Sequence, residues 1–280
     1  YLESLNHREI TSEATAINCA FVSKILQNFT GEQNLLPTVS GRMSSSSFDF
    51  KINDFNENEK AMLLMLHYDV WQSAGGFVSL EDSIKQIGKN KILVNEIIEV
   101  LEILIDKISF KEIDIKLPYD QPLKLHARYT RDQILVAFKM STFEKRSSNA
   151  IGVGVAENKK LNTELLFIDL IKSEEDYSPT TLYDDYAISE TLFHWQSQNQ
   201  TRDDSGKGLT YINHQKLGKK ILLFVREKSI NEFKNTNGYV FVGEGNFQEY
   251  EGSKPMSIKW ELNEPMPNYL WKESAKMSIG

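Results

Sequence analysis

The sequence has few of the residues that covalent cross-links and membrane spans require. Cys19 is the one cysteine among 280 residues, which excludes an intramolecular disulfide and favours a reducing compartment, the cytoplasm. The longest apolar-rich stretch, residues 92–105, is interrupted by four polar residues, so no run reaches the ~18 apolar residues of a membrane span. The chain begins at Tyr1 rather than at a methionine, and the residues that follow are polar and typical of a helix. We therefore expect it to be a piece of a longer polypeptide.

Catalytic and nucleotide-binding motifs are also missing from the sequence. Residues 203–208, Asp-Asp-Ser-Gly-Lys-Gly, lack the upstream glycine and the Ser or Thr after lysine of a phosphate-binding loop. Gly152 and Gly154 lack the third glycine of a dinucleotide fingerprint. The five histidines are scattered, with no His-x-x-x-His pair. We therefore expect no metal, no cofactor and no catalytic residue in this chain.

The overall composition is that of an ordinary globular chain, with 40% hydrophobic and 25% charged residues. The formal net charge of −7 argues against a nucleic-acid partner. The charges are nevertheless sorted into blocks, since residues 120–160 hold 8 basic and 4 acidic residues and residues 201–228 hold 7 and 3. Two basic blocks in an acidic chain leave a nucleic-acid surface and a plain solvated surface both open.

The first third of the chain has helical patterns. Residues 7–28 contain neither proline nor glycine, and their apolar residues recur at three- and four-residue steps. Residues 30–55 are polar and predict a flexible loop. Three more helices are predicted, the first capped by Asn56 or Asn58 and the second by Ser79. They fit a helix-turn-helix unit or a plain three-helix packing module.

Pro118 and Pro122 mark a boundary beyond which the pattern changes. We predict a helical domain over residues 1–120 and a β domain over residues 121–280. Glycine and Asn/Asp/Ser clusters between the strands indicate a partly closed antiparallel barrel, so the predicted fold class is α+β. Alternating apolar and polar residues place five strands at 164–171, 188–198, 220–227, 238–242 and 256–262.

The segment 178–198 is rich in aromatic and hydrogen-bonding side chains. Aromatic rings stack on a planar polar ligand while carboxylates and amides read its edge, and a nucleobase is such a ligand. The same residues fit a core strand, in which Phe193 and Trp195 share the buried face and His194 and Gln196 share the other. The candidate base-binding residues are Tyr183, Asp184, Asp185, Tyr186, His194, Trp195 and Gln196.

Basic residues near the domain boundary and in a predicted turn are candidates for contacts with a DNA backbone. Arg128 and Arg131 lead into a short predicted helix, where a phosphate contact and a structural ion pair fit equally well. The lysines around Gly218 form a basic turn that suits DNA contact and solvation alike. The full set of candidates is Arg128, Arg131, Lys145, Arg146, Lys216, Lys219 and Lys220.

Several motifs together resemble a bacterial domain family that occurs at the C-terminus of superfamily 2 helicase-like proteins. The likeness covers roughly residues 122–272. Such domains occur in ATP-dependent, modification-dependent (type IV) restriction endonucleases. The motifs are Leu-His-Ala-Arg-Tyr-Thr-Arg at 125–131, Ser-Pro-Thr-Thr-Leu-Tyr-Asp-Asp-Tyr-Ala-Ile-Ser at 178–189, Phe-His-Trp-Gln-Ser-Gln at 193–198, Gly-Lys-Lys-Ile-Leu-Leu-Phe-Val-Arg-Glu at 218–227, Glu-Gly-Ser-Lys-Pro-Met-Ser-Ile at 251–258 and Glu-Pro-Met-Pro at 264–267.

The resemblance implies a helical coupler over residues 1–120, followed by an SRA-like or PUA-like barrel. The barrel would flip 5-methylcytosine, or 5-hydroxymethylcytosine, out of double-stranded DNA into a pocket that draws on the candidate base-binding residues. ATP and Mg²⁺ would serve only the motor of the parent protein. Its helicase and nuclease domains, in the bacterial cytoplasm, would be the partners within the same polypeptide, with no membrane involved. Two alternatives remain: a protein-interaction or coupling module, and a PUA-like barrel that binds RNA or a nucleotide without methyl specificity.

Overall fold

The computed structural model describes residues 16–30, 49–71, 75–107, 113–147, 154–170, 185–230 and 234–271. The chain forms two compact units. The first consists of residues 1–112, 116–123 and 127–150, and the second of residues 113–115, 124–126 and 151–280. The boundary drawn from the sequence at residues 120–121 therefore falls where the chain passes back and forth between the units.

The first unit is helical, and two of its helices begin at side chains that cap free backbone N–H groups. The Asn56 side chain accepts from Glu59 N–H at 3.0 Å, and the Glu59 carboxylate accepts from Asn56 N–H at 2.8 Å. Ser79 Oγ accepts from Asp82 N–H at 3.1 Å, which confirms the predicted cap. The elements are α1 (Ala16–Thr30), a 3-10 turn (Ile52–Asp54), α2 (Glu57–Trp71), α3 (Leu80–Lys89), α4 (Lys91–Lys107), the short strand β1 (Arg128–Tyr129) and α5 (Arg131–Ala137).

Helices α1 to α4 share one apolar core. Each contributes a fully buried aliphatic side chain, and together these four form its centre. The residues are Leu26, Leu63, Ile84 and Val94. Gly88 lets α3 approach α1, since a Cβ there would lie 2.2 Å from the ring of Phe29. A larger residue at position 88 would push that ring out of the core.

A polar link ties α5 to α2 within the first unit. Thr130 and Gln133 form a reciprocal capping box at the start of α5. The Gln133 amide also donates to Asp69 Oδ2 at 2.8 Å. One residue earlier on α2, the Tyr68 hydroxyl donates to the Thr142 carbonyl at 2.5 Å. These bonds hold residues 130–142 on the helical unit.

The stability of the first unit should fall as the pH rises from about 4 to about 7, because of Asp69. Burial raises the pKa of this carboxyl to about 7, against the hydrogen bond from Gln133 that opposes the rise. An unfolded chain would release the proton near the ordinary Asp value of 3.8. The stability that the raised pKa contributes is therefore complete below that value and lost as the pH passes the folded pKa.

The Asp69→Asn variant should flatten this pH profile, because the amide still accepts from Gln133 and does not ionise. Urea unfolding followed by far-ultraviolet circular dichroism at about pH 5 and about pH 8 measures the slope. Part of Asp69 remains exposed, so we expect less than the limit of ~1.4 kcal/mol per pH unit. Asp106→Asn, at an exposed position of α4, is the control that should keep the wild-type slope. Equal slopes for all three proteins would contradict the assignment.

The second unit is built on a mixed sheet whose strands lie in the order β2-β3-β6-β7-β8-β5-β4. Each of the five predicted strand segments overlaps a strand, which confirms the β character of this part, although the strand at 188–198 covers only Leu192–Gln196 and residue 171 lies outside the described residues. The strands β2 and β4 were not predicted, and β7 runs well beyond the predicted segment. The elements are β2 (Val155–Asn158), β3 (Thr163–Asp169), β4 (Tyr186–Ala187), β5 (Leu192–Gln196), α6 (Gly206–Ile212), β6 (Lys220–Arg226), β7 (Tyr239–Glu251) and β8 (Ser257–Leu262).

The prediction of a purely antiparallel sheet is wrong at one position. Strands β3 and β6 pair in parallel, from Thr163 opposite Lys220 to Asp169 opposite Arg226. The other neighbours along the β2-to-β4 path are antiparallel. A parallel pair needs a long crossover connection, and here the chain between β3 and β6 contains β4, β5 and α6.

Strand β7 joins the two halves of this sheet. Its first half pairs with β6 and its second half with β8, with a shift of register in each pairing. Side chains from both halves nevertheless meet in one apolar core, which includes Leu166, Trp195, Leu223, Val242 and Trp260. With a helical first unit and this sheet in the second, the fold class is α+β, as predicted.

His214 fixes the turn after α6 to the irregular part of β7. The backbone N–H of Phe247 donates to His214 Nε2 at 3.0 Å, so that nitrogen carries no proton. The proton must lie on Nδ1, which is 3.0 Å from the Lys219 carbonyl and donates to it. Burial lowers the pKa of His214, which keeps the ring in this neutral form. The side chain thus satisfies a backbone donor beside the register shift of β7.

Candidate functional site

The candidate base-binding residues that the structure describes lie on β4, on β5 and just before β4. The two strands pair with Tyr186 opposite His194 and Ala187 opposite Phe193. Burial alternates along β5, so Phe193 and Trp195 face the core while Leu192, His194 and Gln196 face outward. Tyr183 and Asp184 lie outside the described residues.

Tyr186 and His194 form a stacked pair on the outward face of the sheet. Their ring centroids are 4.6 Å apart and the ring planes differ by 16°. Both residues are half-buried, so each side chain keeps part of its surface exposed to solvent. Gln196 lies two residues along β5 on the same face and is also half-buried. We call these three residues the aromatic face.

Asp185 has a structural role that the sequence did not reveal. It is buried, and its Oδ1 accepts a hydrogen bond from the backbone N–H of Gln196 at 2.8 Å. This bond closes the β4–β5 pair next to the aromatic face. A carboxylate committed to a backbone donor is a poor reader of a base edge, which corrects the prediction for Asp185.

Trp195 is part of the core rather than of the aromatic face. Its ring packs edge-on against Tyr211, with centroids 5.4 Å apart, and lies 6.3 Å from the ring of Trp260. The residue is buried, so it cannot stack on a ligand without leaving the core. The strand interpretation of residues 188–198 is therefore right for this residue, and its use as a stacking plate is corrected.

The neighbouring strands β8 and β7 extend the outward surface beside the aromatic face. Lys259 of β8 lies opposite His194, and Glu249 of β7 lies opposite Lys259. The Lys259 ammonium is 2.6 Å from the Glu249 carboxylate. The sequence analysis did not single out either residue, although the alternation over residues 256–262 already put Lys259 on the outward side. Two further charged residues on these strands are acidic: Glu251 lies opposite Ser257, and Glu261 lies opposite Asn246 and Leu192.

The predicted DNA-backbone residues fall on two different units. Arg128, Arg131, Lys145 and Arg146 belong to the first unit. Of these, Arg146 forms a two-pronged ion pair with Asp132, with Nε–Oδ1 at 3.0 Å, while Lys145 is exposed. Arg128 and Arg131 are half-buried and have interactions within the protein. The first basic block therefore offers less free positive charge than its composition indicated.

The basic turn in the second unit is largely neutralised as well. Lys219 is buried and lies 2.7 Å from Glu157, and Lys220 lies 2.8 Å from Glu244. These ion pairs count against a DNA-backbone role for both lysines, because Lys219 itself and Glu244, the partner of Lys220, are buried and cannot exchange freely for a phosphate. Lys216 is exposed and keeps its candidate role.

Two negative findings hold for the part of the chain that the structure describes. There, no three His, Cys, Asp or Glu side chains lie together in a way that could hold a metal ion. Among the helices in the same ranges, none has both the length and the apolar composition of a membrane span.

The chain matches two families of domains. Residues 1–66 match a domain of unknown function, DUF6997. Residues 123–274, more than half of the chain, match another domain of unknown function, DUF3427. This second match includes residues of both compact units, because residues 127–150 belong to the first. Comparison with curated proteins finds no relative. The chain therefore belongs to the DUF3427 family.

Proposed function

We propose that the second unit recognises a modified cytosine in double-stranded DNA, as the target-recognition part of an ATP-dependent type IV restriction endonuclease. The observation that carries the proposal is the accessible Tyr186–His194 stack beside Gln196. Aromatic side chains that stack on a base contribute about 1–3 kcal/mol per base. A base reaches such a surface only after it leaves the duplex, so the proposal includes base flipping.

The chemistry of the aromatic face suits 5-methylcytosine. A ring stacked beside Tyr186 and His194 would present its edge to the Gln196 amide, which both donates and accepts hydrogen bonds. The exocyclic amino group of cytosine needs an acceptor, and Asp184 is our candidate because Asp185 is engaged by the backbone. Tyr183 is the candidate for a second stacking ring. The same surface accommodates 5-hydroxymethylcytosine, since a site that admits a methyl tolerates an added hydroxyl.

The fold of the second unit is part of the proposal. The two halves of the sheet contribute side chains to one core and are joined by β7, and we propose that they form a partly closed barrel of the SRA or PUA kind. Motif order over residues 125–267 supports the same assignment. The helical first unit would then act as the coupler to the helicase motor and nuclease of the parent protein. ATP and Mg²⁺ would act in that motor, and this chain would bind rather than catalyse.

A second candidate function, a protein-interaction or coupling module, is favoured by the ion pairs. Three of the predicted DNA-backbone residues have carboxylate partners within their own unit, which leaves few cations for phosphates. Those residues are Arg146, Lys219 and Lys220. If DNA binds, its affinity should accordingly be weak and strongly dependent on salt.

The wild-type chain should bind a duplex that contains 5-methylcytosine roughly fourfold more tightly than the same duplex with cytosine. One snugly buried methyl group contributes about 0.8 kcal/mol, which sets this modest ratio. The His194→Ala variant should abolish the preference, because it removes half of the stacked pair. Fluorescence anisotropy titrations at low salt measure both affinities.

Tyr250→Ala is the matched control, since Tyr250 is an exposed aromatic residue of β7 that takes no part in the Tyr186–His194 stack. This variant should keep the wild-type preference. Equal binding of the wild type to both duplexes would refute the proposal that the second unit recognises modified cytosine. Tighter binding to RNA of the same sequence would favour the alternative barrel function, and no binding to any of them would favour the interaction module.

A further inference from the structure

Lys259 lies on the surface next to the aromatic face, and strand pairing fixes its position relative to the stacked pair. On β8, Lys259 lies between the buried residues Ile258 and Trp260, so its side chain is directed outward. It is the residue directly opposite His194 on β5. Side chains at opposite positions on one face of an antiparallel pair are close neighbours. Lys259 thus places a cation directly across the strand pair from His194 of the stacked pair.

From this placement we infer that Lys259 binds a backbone phosphate next to the flipped nucleotide, and that Glu249 holds the lysine in place until DNA arrives. The inference rests on the proposed function, because it assigns a phosphate contact to the same aromatic face. Recognition of a base supplies specificity, whereas a phosphate contact positions the nucleic acid without reading its sequence. Lys259 would therefore contribute affinity but no methyl preference.

The Lys259–Glu249 ion pair has the properties of an exchangeable contact. Its side chains are 32% and 63% exposed, and exposed ion pairs contribute little net stability. The hydrogen bond with Glu249 raises the pKa of Lys259, so the lysine is charged at neutral pH.

Glu249 also makes the inference testable in the opposite direction. A phosphate that approaches Lys259 must displace this carboxylate and overcome its repulsion. Removing the negative charge of Glu249 should therefore strengthen DNA binding, while removing the positive charge of Lys259 should weaken it. A surface ion pair unrelated to DNA would show neither effect beyond the change in net charge.

The Lys259→Gln variant should bind both duplexes, with and without 5-methylcytosine, about three- to tenfold more weakly at low salt, and keep the ratio between them. The slope of log affinity against log salt should become shallower by about 0.9, the value for one phosphate contact. Glu249→Gln should bind both duplexes more tightly. Anisotropy titrations of the whole chain over a series of salt concentrations measure these quantities.

The matched controls are Lys60→Gln and Glu57→Gln in the first unit, whose ion pair has a separation of 3.1 Å and side chains 32% and 67% exposed. They change the net charge by the same amounts and should leave affinity and slope close to wild type. If Lys259→Gln behaves like Lys60→Gln while the wild type still prefers 5-methylcytosine, the inference is overturned and the proposed function stands. If Lys259→Gln weakens binding but the wild type shows no preference, the phosphate contact stands and the proposed function fails. A wild type that binds neither duplex overturns both.

Discussion

Replacing Arg226 by methionine should lower the free energy of unfolding of the second unit by about 3–5 kcal/mol. Arg226 and Asp169 are paired at the end of the parallel β3–β6 ladder, with Nε–Oδ1 at 2.6 Å and Nη2–Oδ2 at 3.0 Å. Their side chains are only 11% and 7% exposed. Removing the guanidinium leaves a buried carboxylate without its counter-charge, and this desolvation cost dominates the effect.

The guanidinium of Arg226 has two further contacts that methionine cannot replace. Its Nη1 donates to the Asn237 carbonyl at 3.0 Å, and its carbon lies 4.2 Å from the centroid of the Tyr239 ring. Arg226 therefore connects β3, β6 and the start of β7. We expect the loss to appear in urea unfolding followed by tryptophan fluorescence, since Trp195, Trp260 and Trp271 all belong to the second unit.

Arg202→Met is the matched control for this prediction. Arg202 makes the same two-pronged contact with Asp204, with Nε–Oδ1 at 2.7 Å and Nη2–Oδ2 at 2.6 Å. Its side chains are 50% and 58% exposed, so water screens the pair and solvates the carboxylate that remains. The expected loss is therefore much smaller than for Arg226→Met. Similar losses for the two variants would show that burial does not determine how much unfolding free energy is lost when the arginine is removed.

Gly208→Ala should destabilise the second unit by about 3 kcal/mol. Helix propensity alone predicts the opposite sign, because alanine is favoured over glycine inside a helix by about 0.8–1 kcal/mol. The surroundings decide the outcome. A Cβ on Gly208 would lie 1.7 Å from the Arg202 carbonyl oxygen and 2.7 Å from Met256 Sδ. Backbone cannot rotate away as a side chain can, so α6 would have to shift off the segment that contains Arg202.

Gly154→Ala is the control for the glycine prediction. A Cβ at this position would have Phe167 O as its nearest neighbour at 3.7 Å, which is an ordinary contact. The variant should leave the stability within about 0.5 kcal/mol of wild type. Urea unfolding of both variants in the same buffer gives the comparison. A Gly208→Ala variant as stable as Gly154→Ala would mean that α6 moves without cost.

The aromatic face shows which features of the candidate site can be predicted from sequence patterns. The alternation over residues 188–198 predicted that Phe193 and Trp195 would face inward and His194 and Gln196 outward, which the structure confirms. The alternation could not show that the Asp185 carboxylate accepts a hydrogen bond from the backbone N–H of Gln196, because that bond joins residues eleven positions apart across a turn. Only the pairing of β4 with β5 brings Tyr186 onto His194.

The sequence by itself determined the features that depend on neighbouring residues. Side-chain alternation and helical periodicity repeat over a few positions, and caps such as Ser79 act within one turn. Each of these features can therefore be recognised in a short stretch of sequence. The α+β class and the approximate positions of five strands of the second unit follow from these local rules, whereas β2, β4 and the second half of β7 do not.

Only the tertiary structure decided which charged side chains form ion pairs with one another. Lys219 and Glu157 are 62 residues apart in the chain, Arg226 and Asp169 are 57 apart, and Lys259 meets Glu249 across β7 and β8. The parallel pairing of β3 with β6 and the placement of residues 127–150 in the helical unit likewise join distant segments. Removing one partner of such a pair costs much free energy where the pair is buried and little where solvent screens it, and the local sequence pattern does not show which of the two applies. At least seven of the fifteen basic residues in the two blocks are paired with carboxylates in the fold.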